Sequence, residues 1–299
     1  MGIPIGKPTA NFDLSPDDGN ANSPIYLALG PKDGGKSSNL VTIPKAEGTK
    51  HIYLSGDRLT RAGVEGFIHK AGLDLKYGRD YEVYTLGKHY KPGRLETAEV
   101  TKRYVEAVLG KVEEAAENGE VACVFLEHYE AMLKKMATDY MRHECGLAPG
   151  TLPEGKNGAK QWGKRGEFMN MLDSFIERVQ SDATFVVGYD TERQMLIEKD
   201  PDTGKVKSME YSDEPPRWMT SRESLIREIE ATFLLGFDGK VMTLGDGTKA
   251  IDTKYHATVI GGKGTPFEPG QSWDTTNRGL SVAFDNDWWI QRIARRVVA

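Results

Sequence analysis

An α/β fold built on a mainly parallel sheet is the class this sequence predicts, and three observations predict it. Apolar runs of strand length (Ile25–Leu29, His51–Leu54, Val121–Leu126 and Ala183–Tyr189) alternate with long amphipathic segments. That is the order expected where helices cover both faces of parallel strands. Three of the runs lead to an acid, at Asp57, Glu127 and Asp190. The first run leads directly into Gly30-Pro31-Lys32-Asp33-Gly34-Gly35-Lys36-Ser37-Ser38, which spells G-x-x-x-x-G-K-S. The expectation is a three-layer core over residues 24–262, closed by antiparallel strands. A loosely ordered arm (1–23) precedes it and an extension (263–299) follows.

Each residue type in the glycine-rich stretch has a chemical reason. A loop from Gly30 to Ser38 can turn successive backbone N–H groups toward phosphate oxygens. Lys36 would reach the outer phosphates, and the Ser37 hydroxyl is a hard oxygen ligand for Mg²⁺. A helix starting near Lys36 would point its positive end at the same place. Pro44 limits that helix to about two turns.

The remaining elements follow in order. His51–Leu54 reads as a strand ending at Ser55-Gly56-Asp57; Asp57 is either the residue that orients an attacking water or a solvated turn aspartate. Residues 60–80 read as helix and turn, and Tyr81–Leu86 as a strand. Thr97–Asn118 reads as a helix with Val100, Tyr104, Val105, Val108 and Val112 inward. Val121–Leu126 is a buried-strand signal closed by Glu127, placed to hold magnesium. Tyr129–Glu144 carries the stripe Tyr129, Met132, Leu133, Met136 and Tyr140. Residues 146–160 are a connection, and Gln161–Gln180 is a helix with Phe168, Leu172, Phe175, Ile176 and Val179 inward. The strand Ala183–Tyr189 ends at Asp190-Thr191, either of which can sense a terminal phosphate or simply line a loop.

Residues 198–218 read as a loop or a hairpin around Asp202-Thr203-Gly204. From Ile229 the pattern is strands alone: Ala231–Phe237, Val241–Leu244 and Tyr255–Ile260, separated by Asp238-Gly239 and Asp246-Gly247 turns. Gly261–Asp274 reads as a loop, and residues 288–298 as a helix that docks on the core or presents Arg292, Arg295 and Arg296.

Composition bounds the function. The chain has 299 residues, 38% of them hydrophobic, and no apolar run of membrane-spanning length, so no membrane partner is expected. No secretory signal pattern opens it, and Cys123 and Cys145 make no disulfide framework; both read as core thiols of a protein in a reducing (host) cytoplasm. A net charge of −5 excludes a uniformly basic coat but not a local basic surface.

With these motifs placed, the chain resembles the RecA-like P-loop ATPases. It is similar to the compact phage-encoded ATPases grouped with single-strand annealing and recombination proteins. The resemblance rests on GPKDGGKSS (30–38), HIYLSGD (51–57), VACVFLEH (121–128) and the stretch 161–193. It implies ATP and Mg²⁺ as ligands, Asp57 activating water, Glu127 holding magnesium, and Asp190 or Thr191 as sensor. In both acid positions the family more often carries the other carboxylate. It also implies single-stranded DNA as partner, a possible phage single-strand binding protein, and self-association into a ring or filament. In such an assembly Lys254, Lys263 or Arg278 would be donated across the interface. The competing classes are a P-loop motor acting on protein or packaged DNA, and a nucleotide-binding structural protein without turnover.

Overall fold

The computed structural model describes residues 24–30, 35–56, 59–127, 129–153, 158–190, 195–199, 206–211, 229–243, 249–262 and 267–284. The expected N-terminal arm, the turn Asp246-Gly247 and the helix at 288–298 lie outside them.

The apolar runs become the strands β1 (Ile25–Gly30), β2 (Lys50–Ser55), β4 (Val121–Glu127) and β5 (Thr184–Asp190), with β3 (Tyr81–Thr85) beside them. Between them run α1 (Lys36–Leu40), α2 (Arg61–Lys70), α3 (Glu96–Glu117), α4 (Tyr129–Glu144) and α5 (Gly158–Val179). A hairpin, β6 (Met195–Lys199) with β7 (Val206–Tyr211), follows β5. Then come β8 (Ile229–Thr243), β9 (Lys249–Gly262), β10 (Ser272–Asp274) and α6 (Ser281–Phe284). The eight-stranded sheet has the order β10-β9-β8-β1-β5-β4-β2-β3. Every pair from β8 to β3 is parallel, whereas β8–β9 and β9–β10 are antiparallel.

Side-chain alternation sends the two sets of strand residues into two cores. Ile25, Leu27 and Leu29 face α3, α4 and α5, whose Val105, Leu133, Phe168 and Phe175 are fully covered. Tyr26 and Ala28 face the other layer, made of Leu40, Val41, α2 and α6. Both faces being buried explains why the strands read as continuous apolar runs. On the second face Tyr26, Phe233, Phe267 and Phe284 interlock, with centroids 5.0–6.2 Å apart. Rings at that spacing add about 0.5–1.5 kcal/mol per pair beyond burial. Phe267 and Phe284 thereby tie the C-terminal segment 267–284 onto the sheet.

Three expectations are corrected. Asp238-Gly239 is not a hairpin turn: β8 runs through it, with Asp238 opposite Lys254 and Gly239 opposite Thr253. Pairing along the whole of β9, with opposite charges across one step, outweighs the local turn preference. Val100 is not in the α3 core stripe but 54% exposed; the buried series is Ala98, Thr101, Val105, Val108, Leu109, Val112 and Ala116. One residue is a 100° rotation, so Val100 falls just off the i, i+3, i+4 series. Cys123 is buried as expected, but Cys145 is only half-buried, one residue past the end of α4.

At the N-terminal edge of β2, His51 is fully enclosed, and its Nε2 donates to the Ile43 carbonyl at 2.9 Å. Burial holds the imidazole down to about 4 despite that bond, with Lys45 pushing the same way and nearby Asp80 opposing. The unfolded chain therefore binds a proton near pH 6.5 that the folded chain refuses until about pH 4. Stability is full above the unfolded value and falls as pH drops, by up to about 1.4 kcal/mol per pH unit. The one carboxylate of the neighbouring strand β3 titrates lower: burial raises Glu82, but hydrogen bonds from Lys111, Tyr84 and Lys50 outweigh it and hold it down to about 2. Urea unfolding followed between about pH 6.5 and 5 should thus show a slope that His51→Phe abolishes. An unchanged slope in the variant would assign it to other groups.

Candidate nucleotide-binding site

The C-terminal ends of four adjacent strands place the predicted residues along one rim. In the order β1, β5, β4, β2 these ends carry Gly30, Asp190, Glu127 and Ser55; Gly30 pairs with Asp190 and Ser55 with Glu127, while β5 runs two residues past Gly188, the partner of Glu127. Ligands of open α/β sheets bind outside this edge. Of the predicted loop, Pro31, Lys32, Asp33 and Gly34 lie outside the described residues, as do Asp57 and Thr191. The backbone of Asp190 closes β5 opposite Gly30.

The two ends of the loop are fixed by glycine for different reasons. At Gly30 a Cβ would stand 2.8 Å from the Leu235 carbonyl oxygen, so only glycine lets β8 close against the end of β1. Gly35 has φ 78°, the left-handed region, and caps the N-terminus of α1. Its carbonyl accepts from Asn39 Nδ2 at 2.8 Å and from Ser38 Oγ at 2.9 Å. The Ser38 hydroxyl therefore braces the loop, whereas Ser37 faces across it.

Lys36 is 4% exposed, and its Nζ donates to the Gly30 carbonyl at 3.1 Å, spanning the loop from one end to the other. Ser37 donates its hydroxyl to Glu127 Oε1 across ninety positions of sequence. Glu127 is 2% exposed at the end of β4, and its backbone carbonyl accepts from Gly56 N at 2.9 Å. Opposite it on β5 stands Gly188, whose absent side chain leaves room beside Glu127 Cγ. A buried carboxylate touching a serine hydroxyl, one residue from a buried ammonium, is a hard-oxygen pair that fits Mg²⁺. Among the described residues, Ser37 is thus brought to Glu127 and Lys36 to Gly30.

Two features were missed by the sequence reading. Asn39 sits one turn after Gly35, and its spacing alone signalled a contact. Tyr255 of β9 covers Gly35: a Cβ there would meet its ring at 3.2 Å. Phe237, directly across on β8, is 46% exposed with its ring 6.0 Å from Tyr255. No sequence signal links residues 35 and 255. Of the expected interface cations, Lys254 and Arg278 are exposed, while Lys263 lies outside the described residues. Elsewhere, Glu99, His143 and Glu144 bring ligand atoms within 4.8 Å of one another without Cys145.

The class defined so far is an α/β protein with a mostly parallel eight-stranded sheet and a polar, glycine-bounded site at its C-terminal edge. No known family model matches the chain, and no curated protein matches it. No helix among the described residues is long and apolar enough to cross a membrane.

Proposed function

We propose that the chain is a RecA-like P-loop ATPase that binds ATP with Mg²⁺ and acts on single-stranded DNA in phage recombination or replication. The observation that carries the nucleotide reading is the convergence of Gly35, Lys36, Ser37 and Glu127 at the mouth of β1. The DNA task rests on the resemblance of the sequence.

In this reading the Lys36 ammonium leaves the Gly30 carbonyl for the outer phosphates, joined by backbone N–H groups of the loop. Ser37 and Glu127 hold the magnesium ion, whose charge offsets that of the β- and γ-phosphates when it is bound. Asp57, two residues beyond the end of β2, positions the water that attacks the γ-phosphate. Asp190, the last residue of β5, or Thr191, the next in sequence, senses that phosphate. Tyr255 and Phe237 supply a ring face beside Gly35 on which the base can stack. A ring or filament would add a cation from a neighbouring subunit.

The test is hydrolysis of MgATP by the full chain with and without single-stranded DNA. Stimulation is the expected result. Turnover indifferent to DNA would favour a motor of another kind, and binding without turnover would favour a structural protein.

A further inference from the structure

We propose that the loop between β3 and α3 is a docking site for single-stranded nucleic acid, and that its occupancy is relayed to the strand end carrying Asp57. The relay, though not the docking, rests on the nucleotide-site reading above.

The charge is local and one-signed. Residues 83–95 contain no carboxylate, while Lys88, Lys91 and Arg94 recur every third position in a chain of net charge −5. All three are exposed. Of the flanking acids, Glu96 opens α3 and is exposed, Glu99 pairs with Arg103, and Asp139 is held by Arg142 and by the hydroxyl of Tyr90 in the loop itself. Three exposed cations held close together attract a polyanion.

The loop is held in shape, so its cations are presented rather than merely present. Lys88 N donates to the Thr85 carbonyl, Tyr90 N to Gly87 and Arg94 N to Lys91, each at 3.0 Å. Lys91 N also reaches the Thr97 hydroxyl at 3.0 Å, and Tyr90 Oη anchors on Asp139 at 2.7 Å. Ordering that is already present in the free protein need not be supplied on binding.

Rings select a single strand over a duplex. His89 packs edge-to-face with Tyr104 at 4.8 Å, and Val100, one turn earlier on α3, is bare to solvent. Apolar and aromatic surface beside phosphate-binding cations matches bases whose faces are free, which duplex DNA does not offer. An acidic protein would match the cations but has no particular use for the rings.

The root of the loop explains the relay. Leu86 N donates to the Ser55 carbonyl at 2.7 Å, and Gly87 N donates to the Gly56 carbonyl at 3.1 Å. A Cβ on Gly87 would stand 2.7 Å from that same carbonyl oxygen, so the two segments touch through backbone alone. Gly56 precedes Asp57. A strand pulling on residues 88–94 therefore acts on the residue next to the candidate water-positioning acid.

The experiment measures anisotropy of a labelled oligothymidylate with the full chain across a salt series. Wild-type protein is compared with Lys88→Gln/Lys91→Gln/Arg94→Gln, all exposed substitutions checked by thermal melting. The variant should bind more weakly, with a log K against log salt slope shallower by about 2, at about 0.7 per cation removed. Equal affinity and slope in the variant, no binding by wild type, or equal binding of duplex would each overturn the proposal. Thermal stabilisation by MgATP is measured on the same samples. Oligonucleotide loss with that shift intact tests the loop alone; a missing shift with loop-dependent binding would sink the nucleotide reading and leave the docking site standing. For the relay, Gly87→Ala should lose the stimulation of hydrolysis even at oligothymidylate concentrations that saturate its binding. Stimulation that survives would overturn that half.

Discussion

Lys36→Ala should abolish saturable ATP binding and lower turnover by about 10²–10³-fold or more, the range for losing one donor aimed at transition-state charge. The reason lies in where the ammonium sits. It is buried, and the Gly30 carbonyl at 3.1 Å holds it at the near end of the phosphate loop. That bond is charge-assisted and buried, so the unliganded variant should lose about 1.5–3 kcal/mol of stability. The ligand-dependent part should vanish outright. Wild type gains about 2.7 kcal/mol at a hundredfold excess of ligand over Kd, and the variant should gain nothing. Lys36→Met, which keeps most of the stem, should behave as Lys36→Ala does if charge is what matters. A variant that melts early yet binds MgATP with wild-type affinity would make Lys36 a packing residue and remove the centre of the proposed site.

How much of this was legible in the sequence depends on the range of the interaction. The core strands were readable because burial on both faces leaves unbroken apolar runs, as in Val121–Leu126. The helix stripes were readable to within one residue, and Val100 marks the error: a valine next to the buried series looks the same as one within it. Gly30 and Lys36 were readable because one loop closes on itself over six positions. The partner of Ser37 was legible only as a candidate, since ninety residues separate it from Glu127. Least legible was the far side of the sheet. Ile229 begins a strand that lies parallel to β1, and β9 returns to lay Tyr255 over Gly35. Nothing local records that crossing, and the one local signal there, Asp238-Gly239, points to a turn that pairing with β9 overrides.

Glu127→Gln carries the second large effect, and it separates a metal-holding acid from a structural one. The substitution keeps the shape and an oxygen that can accept the Ser37 hydroxyl, but it removes a negative charge from a side chain only 2% exposed. Charge that far from water is costly, so the unliganded variant should melt no lower than wild type. Its hydrolysis should fall by about 10²–10³-fold, because the developing charge on the phosphates would lose its counter-ion. The distinguishing measurement is the metal dependence of binding. Wild-type affinity for ATP should rise as Mg²⁺ is added to a chelated sample, and the variant curve should be flat. If Glu127 serves only to fasten α1 to β4 through Ser37, the variant, which keeps that acceptor, should hydrolyse ATP and respond to Mg²⁺ as wild type does. Asp57 offers no such clean division, since an acid that positions water changes turnover without changing metal affinity. The Mg²⁺ titration of Glu127→Gln therefore assigns the metal to one end of one strand.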